Sequence, residues 1–266
     1  MYRESLAMAK ALFGQQHPTL AVSMNNLASV LRRQGKLPEA EALFRETLAV
    51  QKKLFGNEHP NLAVSLNNLA LLLRFQGKLT EAESMQRQAL AIEQKLLGTE
   101  HPQTAVSLRN LGNILRDQAK FDDAEAVLRT ALSIQQKLLG AENPEVATSL
   151  EALGYVAGSK GKLTEAEAHF HQCLAIREKN SPDNWQTFTA RSLLGGNLLD
   201  QKKFAEAEPL LLSGYEGMKQ RQDKIPAASK PLLKDTLQRV VTYYQATGQL
   251  DRSAQWQKEL ADPDQK

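Results

Sequence analysis

The chain of 266 residues has one cysteine, few aromatic residues and almost no excess of charge. Its single cysteine, Cys173, excludes a disulfide within the chain, and we expect a small buried side chain in a reducing compartment. The 33 basic and 30 acidic side chains leave a net charge of +3, so bulk charge predicts neither nucleic-acid binding nor membrane binding.

Long apolar runs are absent as well. No stretch approaches the ~20 apolar residues that a membrane-spanning helix needs. The N-terminal segment also lacks the continuous apolar core of a signal peptide. We therefore expect a cytoplasmic protein.

What the chain does contain is a sequence repeat. The segment LAVSLNNLA at 62–70 matches LAVSMNNLA at 20–28 and TAVSLRNLG at 104–112, each 42 positions from the next. The dipeptides that precede the repeats keep this spacing: His17-Pro18, His59-Pro60, His101-Pro102 and Asn143-Pro144. A fixed period between 20 and 50 residues is typical of repeat proteins whose neighbouring units stack to share a core.

Each repeat divides into two helices, which we call helix A and helix B. In the second repeat Leu62, Leu66 and Leu69 recur at the spacing of an amphipathic helix. Glycine is expected to end both helices, because it takes the left-handed C-cap conformation without steric cost. These glycines are Gly35, Gly77 and Gly161 after helix A, and Gly56, Gly98 and Gly140 after helix B. Ala119 and Lys203 take the place of glycine, so we expect strain at these two turns.

Two further local patterns lead to expectations about helix ends. Thr80 and Thr164 begin the pattern of a capping box at the start of helix B. In the fifth repeat the long segment from Pro182 predicts one extra turn in helix A. Trp185 and Phe188 fall in that turn, and we expect them to pack on the preceding helix B.

These patterns predict an all-α solenoid of helix-turn-helix repeats in a single repeat domain, 1–266. The predicted segments are a half-repeat helix at 1–14, five repeats at 18–56, 60–98, 102–140, 144–179 and 182–221, and a C-terminal capping pair of helices at 227–261. The half-repeat lacks a partner helix, so its apolar surface would suit self-association.

The repeat motifs resemble those of the tetratricopeptide repeat family. Small residues at the expected helix crossing, such as Ala40 and Ala82, are typical of it, and NNLA, QGKLTEAE, ALAIEQKLLG and the following HP resemble its kinesin-light-chain class over about residues 1 to 180. From Phe188 onward, FTARSLLGGNLLDQKKFAEAEPLLLSGYEGM resembles the repeat tails of certain bacterial serine/threonine protein kinases. The first resemblance implies a right-handed superhelix whose helices A line a concave, partner-binding groove.

The family's groove positions, carried over residue by residue, form a cationic strip in repeats one to three. The residues expected to bind a peptide are Asn25, Arg32, Arg33, Asn67, Leu71, Arg74, Phe75, Arg109, Asn113 and Arg116. The one acid among the groove positions of these repeats is Asp117. Guanidinium groups suit carboxylate recognition, and Leu71 and Phe75 offer apolar contacts. We therefore expect an extended acidic partner segment with an apolar anchor.

Less specific interpretations compete with this one. The arginines also fit a solvated helix face, and Phe75 also fits a side chain that turns into the core. The family resemblance implies that Asn26, Asn68 and Asn110, one position off the groove, are structural. Asn25, Asn67 and Asn113 are instead expected to bond the main chain of a ligand.

Patterns of catalytic and metal sites are lacking. The chain has no glycine-rich loop, HRD or DFG motif, and no nucleophile stands at a suitable spacing from a base. His17, His59 and His101 fall in successive repeats, whose helices stack ~8–10 Å apart. That is too far for a shared metal ion with bonds of ~2 Å, so we expect loop or cap residues.

The sequence therefore predicts a non-catalytic scaffold for protein–protein interaction, without cofactor or metal and with a protein or peptide as its partner. Nucleic acid and membranes are not expected partners. Two alternatives are a regulatory or substrate-recruiting tail of a bacterial serine/threonine protein kinase, and a self-assembly module.

Overall fold

The structure is a computed structural model that describes residues 17–261, apart from the side chain of Ala228. These residues form twelve α-helices and two short 3-10 segments, with no strand among them. The expected all-α fold of consecutive helix pairs is therefore confirmed. The half-repeat helix expected at 1–14 lies outside the described residues.

Ten helices form five A/B pairs, and the last two form a closing pair. The A/B pairs are α1 Pro18–Arg33 with α2 Leu37–Phe55, α3 Pro60–Phe75 with α4 Leu79–Leu97, α5 Pro102–Asp117 with α6 Phe121–Leu139, α7 Pro144–Ser159 with α8 Leu163–Asn180, and α9 Trp185–Asp200 with α10 Phe204–Lys219. The 3-10 segments Gln222–Lys224 and Ala227–Ser229 precede the closing pair, α11 Pro231–Ala246 and α12 Leu250–Ala261.

The chain divides into two compact units, the first ending at Leu138 and the second beginning at Leu139. In the first unit Phe44 and Ala40 of α2 are fully buried against α1 and α3, and Ala82 of α4 is fully buried as well. Alanine at these crossings lets two helices approach closely, while Leu66 and Leu69 of α3 fill the space around them.

In the second unit the core includes Tyr215, Cys173 and a cluster of Phe188, Met218 and Ile225. Cys173 is fully buried, as the sequence predicts, and burial raises the pKa of its thiol to about 12. A thiol in this state is a poor nucleophile, so Cys173 acts as a small packing residue.

Histidine begins each helix A of the first unit. The Nδ1 atoms of His17, His59 and His101 accept hydrogen bonds from the backbone N–H two residues later, at 3.2, 3.1 and 3.1 Å. The side chains of Asn143 and Asn184 do the same for α7 and α9. The expectation that these histidines are cap residues is confirmed.

The fifth helix A differs from its expected form. Helix α9 has 16 residues, as many as α1. It begins at Trp185, three positions after Pro182, and Asn184 is its N-cap. The expected extra turn is therefore wrong. The step from Pro144 to Trp185 is also one residue shorter than the steps before it, so the residue with positive φ after α9 is Lys202, at φ 62°, rather than Lys203.

Two further expectations are wrong, one about the packing of Phe188 and one about the start of helix B. Phe188 packs on the following helix, α10, because Gly217 there leaves room: a Cβ on Gly217 would lie 1.9 Å from Phe188 Cδ1. Helix α4 starts at Leu79 with Lys78 as N-cap and no side-chain cap bond, so Thr80 forms no capping box. Lys162 begins α8 in the same way.

Candidate functional site

The helices A of the first unit each bury one side and leave another accessible. On α3, Leu62, Leu66 and Leu69 are buried, whereas Val64 is 43% exposed and Phe75 is 47% exposed. We call the accessible side of α1, α3 and α5 the A-face. It carries the ten residues expected to bind a peptide: Asn25, Arg32, Arg33, Asn67, Leu71, Arg74, Phe75, Arg109, Asn113 and Arg116.

Phe75 lies beside a cation on the A-face. The guanidinium carbon of Arg32 lies 5.8 Å from the centroid of the Phe75 ring, a cation–π distance. Because almost half of the Phe75 side chain is exposed, the alternative that it turns into the core is wrong.

Arg32 itself is half-buried. Its Nε is shielded from solvent and has no hydrogen-bond partner among residues 17–261. Burial, followed by the charge of neighbouring Arg33, lowers the pKa of Arg32. Both effects disfavour a positive charge here, so an anion beside Arg32 and Arg33 would be stabilising.

Asp117 joins two other arginines of the A-face. Arg74 Nε donates to Asp117 Oδ2 at 2.6 Å, and Arg116 Nη2 donates to Asp117 Oδ1 at 2.9 Å. The sequence places Asp117 among the arginines of the strip, but the repeat pattern does not indicate that its carboxylate pairs with two of them. One carboxylate between two guanidinium groups leaves a net charge of +1 for the three residues.

The asparagines link neighbouring helices A. Asn68 Nδ2 donates to Asn25 Oδ1 at 3.2 Å, and Asn110 Nδ2 donates to Asn67 Oδ1 at 2.9 Å. Ser65 Oγ also donates to Asn25 Oδ1, at 3.2 Å. Asn68 and Asn110 thus link neighbouring helices, as expected of structural residues. The oxygen of Asn25 already accepts two hydrogen bonds and that of Asn67 accepts one, so the Nδ2 groups are the main atoms that could bond a ligand.

The other expected groove residues are partly accessible. Leu71, Arg109 and Asn113 are half-buried and Arg33 is exposed. Arg109 already takes part in an interaction within the chain. All ten residues therefore lie on the accessible side of three adjacent helices. Arg74 and Arg116 are paired with Asp117, whereas Arg32 Nε has no hydrogen-bond partner among residues 17–261.

Between residues 17 and 261, no group of three or more His, Cys, Asp or Glu side chains is placed to hold a metal ion. Over the same residues, no helix combines the length and apolar character that crossing a membrane requires.

Comparison with known sequences gives one family. The sequence model of the tetratricopeptide repeat matches five overlapping stretches, 1–53, 19–95, 66–137, 110–179 and 145–220. No curated protein sequence matches the chain.

Solved structures extend this result. The chain is 26% identical to nearly identical TPR-like repeats attributed to a kinesin light chain of Podosopora anserina, with a TM-score of 0.64 over 78% of this chain and 99% of that one. BtubC (BKLC) from P. vanneervenii is 23% identical, with a TM-score of 0.71 over 85% and 91%. Pseudomonas aeruginosa pilF is 17% identical, with a TM-score of 0.59 over 90% of each chain.

The identities of 23% and 17% to the last two structures show a shared fold and nothing more. The expected likeness to kinesin-light-chain-like repeats is confirmed, whereas no comparison tests the resemblance of the region from Phe188 to kinase tails, which stays a prediction.

Proposed function

Because the chain belongs to the tetratricopeptide repeat family, whose repeats generally mediate protein–protein interaction, we propose that it is a non-catalytic module that binds a partner segment on its A-face. The observation that carries this proposal is the exposed ring of Phe75 beside the half-buried Arg32. An exposed aromatic side chain next to a cation is a frequent centre of binding energy in protein interfaces.

The surroundings of Phe75 favour an extended segment with an apolar anchor. Leu71 is half-buried on α3 one turn before Phe75, so the two side chains offer apolar surface to one anchor side chain. Val22 and Val64, each 43% exposed near the starts of α1 and α3, offer further apolar surface along the segment. The amide groups of Asn25 and Asn67 would donate to carbonyl groups of that segment.

The charges favour acidic residues in the segment. Arg32 and Arg33 lie next to each other, and an anion would offset both the burial of Arg32 and its repulsion from Arg33. The carboxylate of Asp117 already lies between Arg74 and Arg116 at 2.6 and 2.9 Å, so this pair has the geometry to bind a carboxylate.

A peptide array compared between the wild type and Phe75→Ala tests this proposal. We expect acidic peptides with one large apolar residue to bind the wild type, and to lose ~2 kcal/mol or more of binding free energy in the variant if Phe75 is an anchor. Leu250→Ala is the matched control, because Leu250 is 70% exposed in the second unit. Equal binding by the wild type and Phe75→Ala would contradict the proposal that the A-face binds the partner segment through Phe75.

A further inference from the structure

The second unit contains a cavity of about 410 Å³ that the proposed function does not use. Side chains of α7, α8, α9 and α11 line it, among them Tyr155, Phe170, Leu193, Asp200 and Arg239. Its volume lies within the range of ~300–1,000 Å³ that is usual for ligand pockets.

Glycine creates this cavity. Gly158 stands 42 positions after Arg116, at the place where the first three repeats carry Arg32, Arg74 and Arg116. A Cβ built on Gly158 would meet only Ala166 Cβ, at 4.0 Å. Gly196 on α9 removes a second side chain, and a Cβ there would lie 3.0 Å from Arg239 Cδ. The space beside Gly158 is therefore open, whereas the missing side chain at Gly196 makes room for Arg239.

One wall of the cavity is aromatic and apolar. The rings of Tyr155 and Phe170 meet edge to face with centroids 5.9 Å apart, which fixes their orientation. Leu193 of α9 adds an aliphatic surface to the same lining. Such walls suit a flat, uncharged group.

The lining of the cavity also includes one acid and one base, Asp200 and Arg239. Arg239 Nη1 donates to Ser192 Oγ at 3.1 Å, which holds the guanidinium against α9. Asp200 is exposed at the end of α9, and partial burial raises the pKa of its carboxyl while the charge of Arg239 lowers it. The lining therefore offers a ligand both a hydrogen-bond acceptor and a donor.

We propose that this cavity binds a flat, uncharged ring whose edge carries both a hydrogen-bond donor and an acceptor. The ring would lie against Tyr155 and Leu193, its donor would bond Asp200, and its acceptor would bond Arg239. One acid and one base give the lining no net charge, so it favours neither a cation nor an anion, and a purely apolar ring would bond neither group. The tyrosine side chain of a partner and a free heterocycle such as guanine share this chemistry.

Ligand-observed NMR on the full chain separates the two sources. The probes are N-acetyltyrosinamide, guanosine, and N-acetylphenylalaninamide as the ring without donor or acceptor. We expect one of the first two to bind at least tenfold more tightly than the phenylalanine probe. A preference for N-acetyltyrosinamide would identify a partner's side chain, and a preference for guanosine would identify a free ring. Equal binding of all three probes, or none, would overturn the proposal.

A cavity-filling variant locates the binding. Gly158→Leu places a side chain in the open space without meeting the backbone, so we expect at least tenfold weaker probe binding. The Tm should not fall, because leucine favours a helix more than glycine does. Gln172→Leu is the control, since Gln172 is exposed on α8 outside the cavity lining. Probe binding that survives Gly158→Leu would place the ligand elsewhere. None of these outcomes depends on the A-face, which lies in the first unit.

Discussion

Asp117 is the residue that most changes the expected cationic strip. Its carboxylate accepts hydrogen bonds from Arg74 and Arg116, so an acid of the chain itself lies where an acidic partner is expected. The partner and Asp117 would then compete for the same two guanidinium groups.

Asp117→Asn should therefore strengthen the binding of acidic peptides by several-fold, because it removes the carboxylate charge beside two guanidinium groups and so raises the positive charge of the A-face. Partly exposed ion pairs contribute only ~0–1 kcal/mol to folding, so the Tm should change little. Fluorescence anisotropy at low and high salt measures both the affinity and its salt dependence. Asp123→Asn, an exposed acid on α6, is the control, and an equal effect of both variants would contradict a special role for Asp117.

The pairing of Asp117 shows what sequence can and cannot reveal at this scale. The period of the repeat identifies Arg74, Phe75 and Asp117 as surface positions, because surface positions recur. The bond from Arg74 to Asp117 joins side chains of different repeats, and its existence depends on side-chain direction, which the period does not contain. The sequence does indicate the cavity beside Gly158, because a glycine stands there at the position where three repeats carry arginine. The place of Arg239 beside Gly196, in another helix, is not visible in the repeat pattern.

At the scale of the helix, the N-caps are the local contacts with the clearest energetic role. The bond from the Gln103 N–H to His101 Nδ1 satisfies one of the backbone donors that every helix leaves unpaired at its start. His101→Ala should lower the free energy of unfolding by ~1 kcal/mol, while His101→Asn should keep most of it, since asparagine caps well. Urea denaturation measures the difference, and equal losses in both variants would argue against a capping role.

Lysine–glutamate pairs join two helices B of the first unit, α2 and α4, to the repeat that follows each of them. Lys78 Nζ donates to Glu41 at 2.8 Å, and Lys120 Nζ donates to Glu83 at 2.9 Å. These hydrogen bonds are the main cause that lowers the pKa of Glu41 and of Glu83 to about 2. A depressed carboxyl pKa stabilises the fold above the ordinary pKa of glutamate, and this stability is lost as the pH falls through the folded value.

We therefore expect the free energy of unfolding to fall as the pH is lowered from ~5 to ~2. The double variant Glu41→Gln/Glu83→Gln should show a shallower fall, because glutamine has no charge to lose. Denaturant titrations across this pH range measure the slope. If the wild type and the variant have the same slope, other groups determine the acid sensitivity.

The helices themselves were largely predictable, and the fifth repeat explains the exception. Helix pairs, glycine turns and capping histidines depend on residues close together in the chain, so their patterns are visible in the sequence. Before α9 no proline follows the capping residue Asn184, and the repeat is one residue shorter than the 42 residues of the earlier ones. A count of 42 from Gly161 therefore predicts positive φ at Lys203, whereas Lys202 has it. Phe188 then packs on Gly217, a contact between distant residues that no local pattern indicates.

At the scale of the whole molecule, a repeat packs mainly on its neighbours within each of the two units. In such an array a defect destabilises nearby helices more than distant ones. Leu69 is 1% exposed in the core of the first unit, and Leu69→Ala should cost ~2–5 kcal/mol. Hydrogen exchange followed by mass spectrometry should then rise most in α2, α3 and α4.

The matched variant lies in the second unit. Leu194 of α9 is also 1% exposed, and Leu194→Ala should raise exchange most in α9 and α10 instead. A uniform rise along residues 17–261 in both variants would mean that the chain opens as one cooperative unit.

The bonds from Asn68 to Asn25 and from Asn110 to Asn67 span the same number of positions, as do those from Lys78 to Glu41 and from Lys120 to Glu83. A tandem duplication of 60–101 at the genetic level would thus regenerate each of these bonds in the inserted copy. Duplication of 144–184 would instead insert a cassette one residue shorter. Duplication within the early repeats can therefore lengthen the array during evolution while the same contacts between neighbouring repeats are kept.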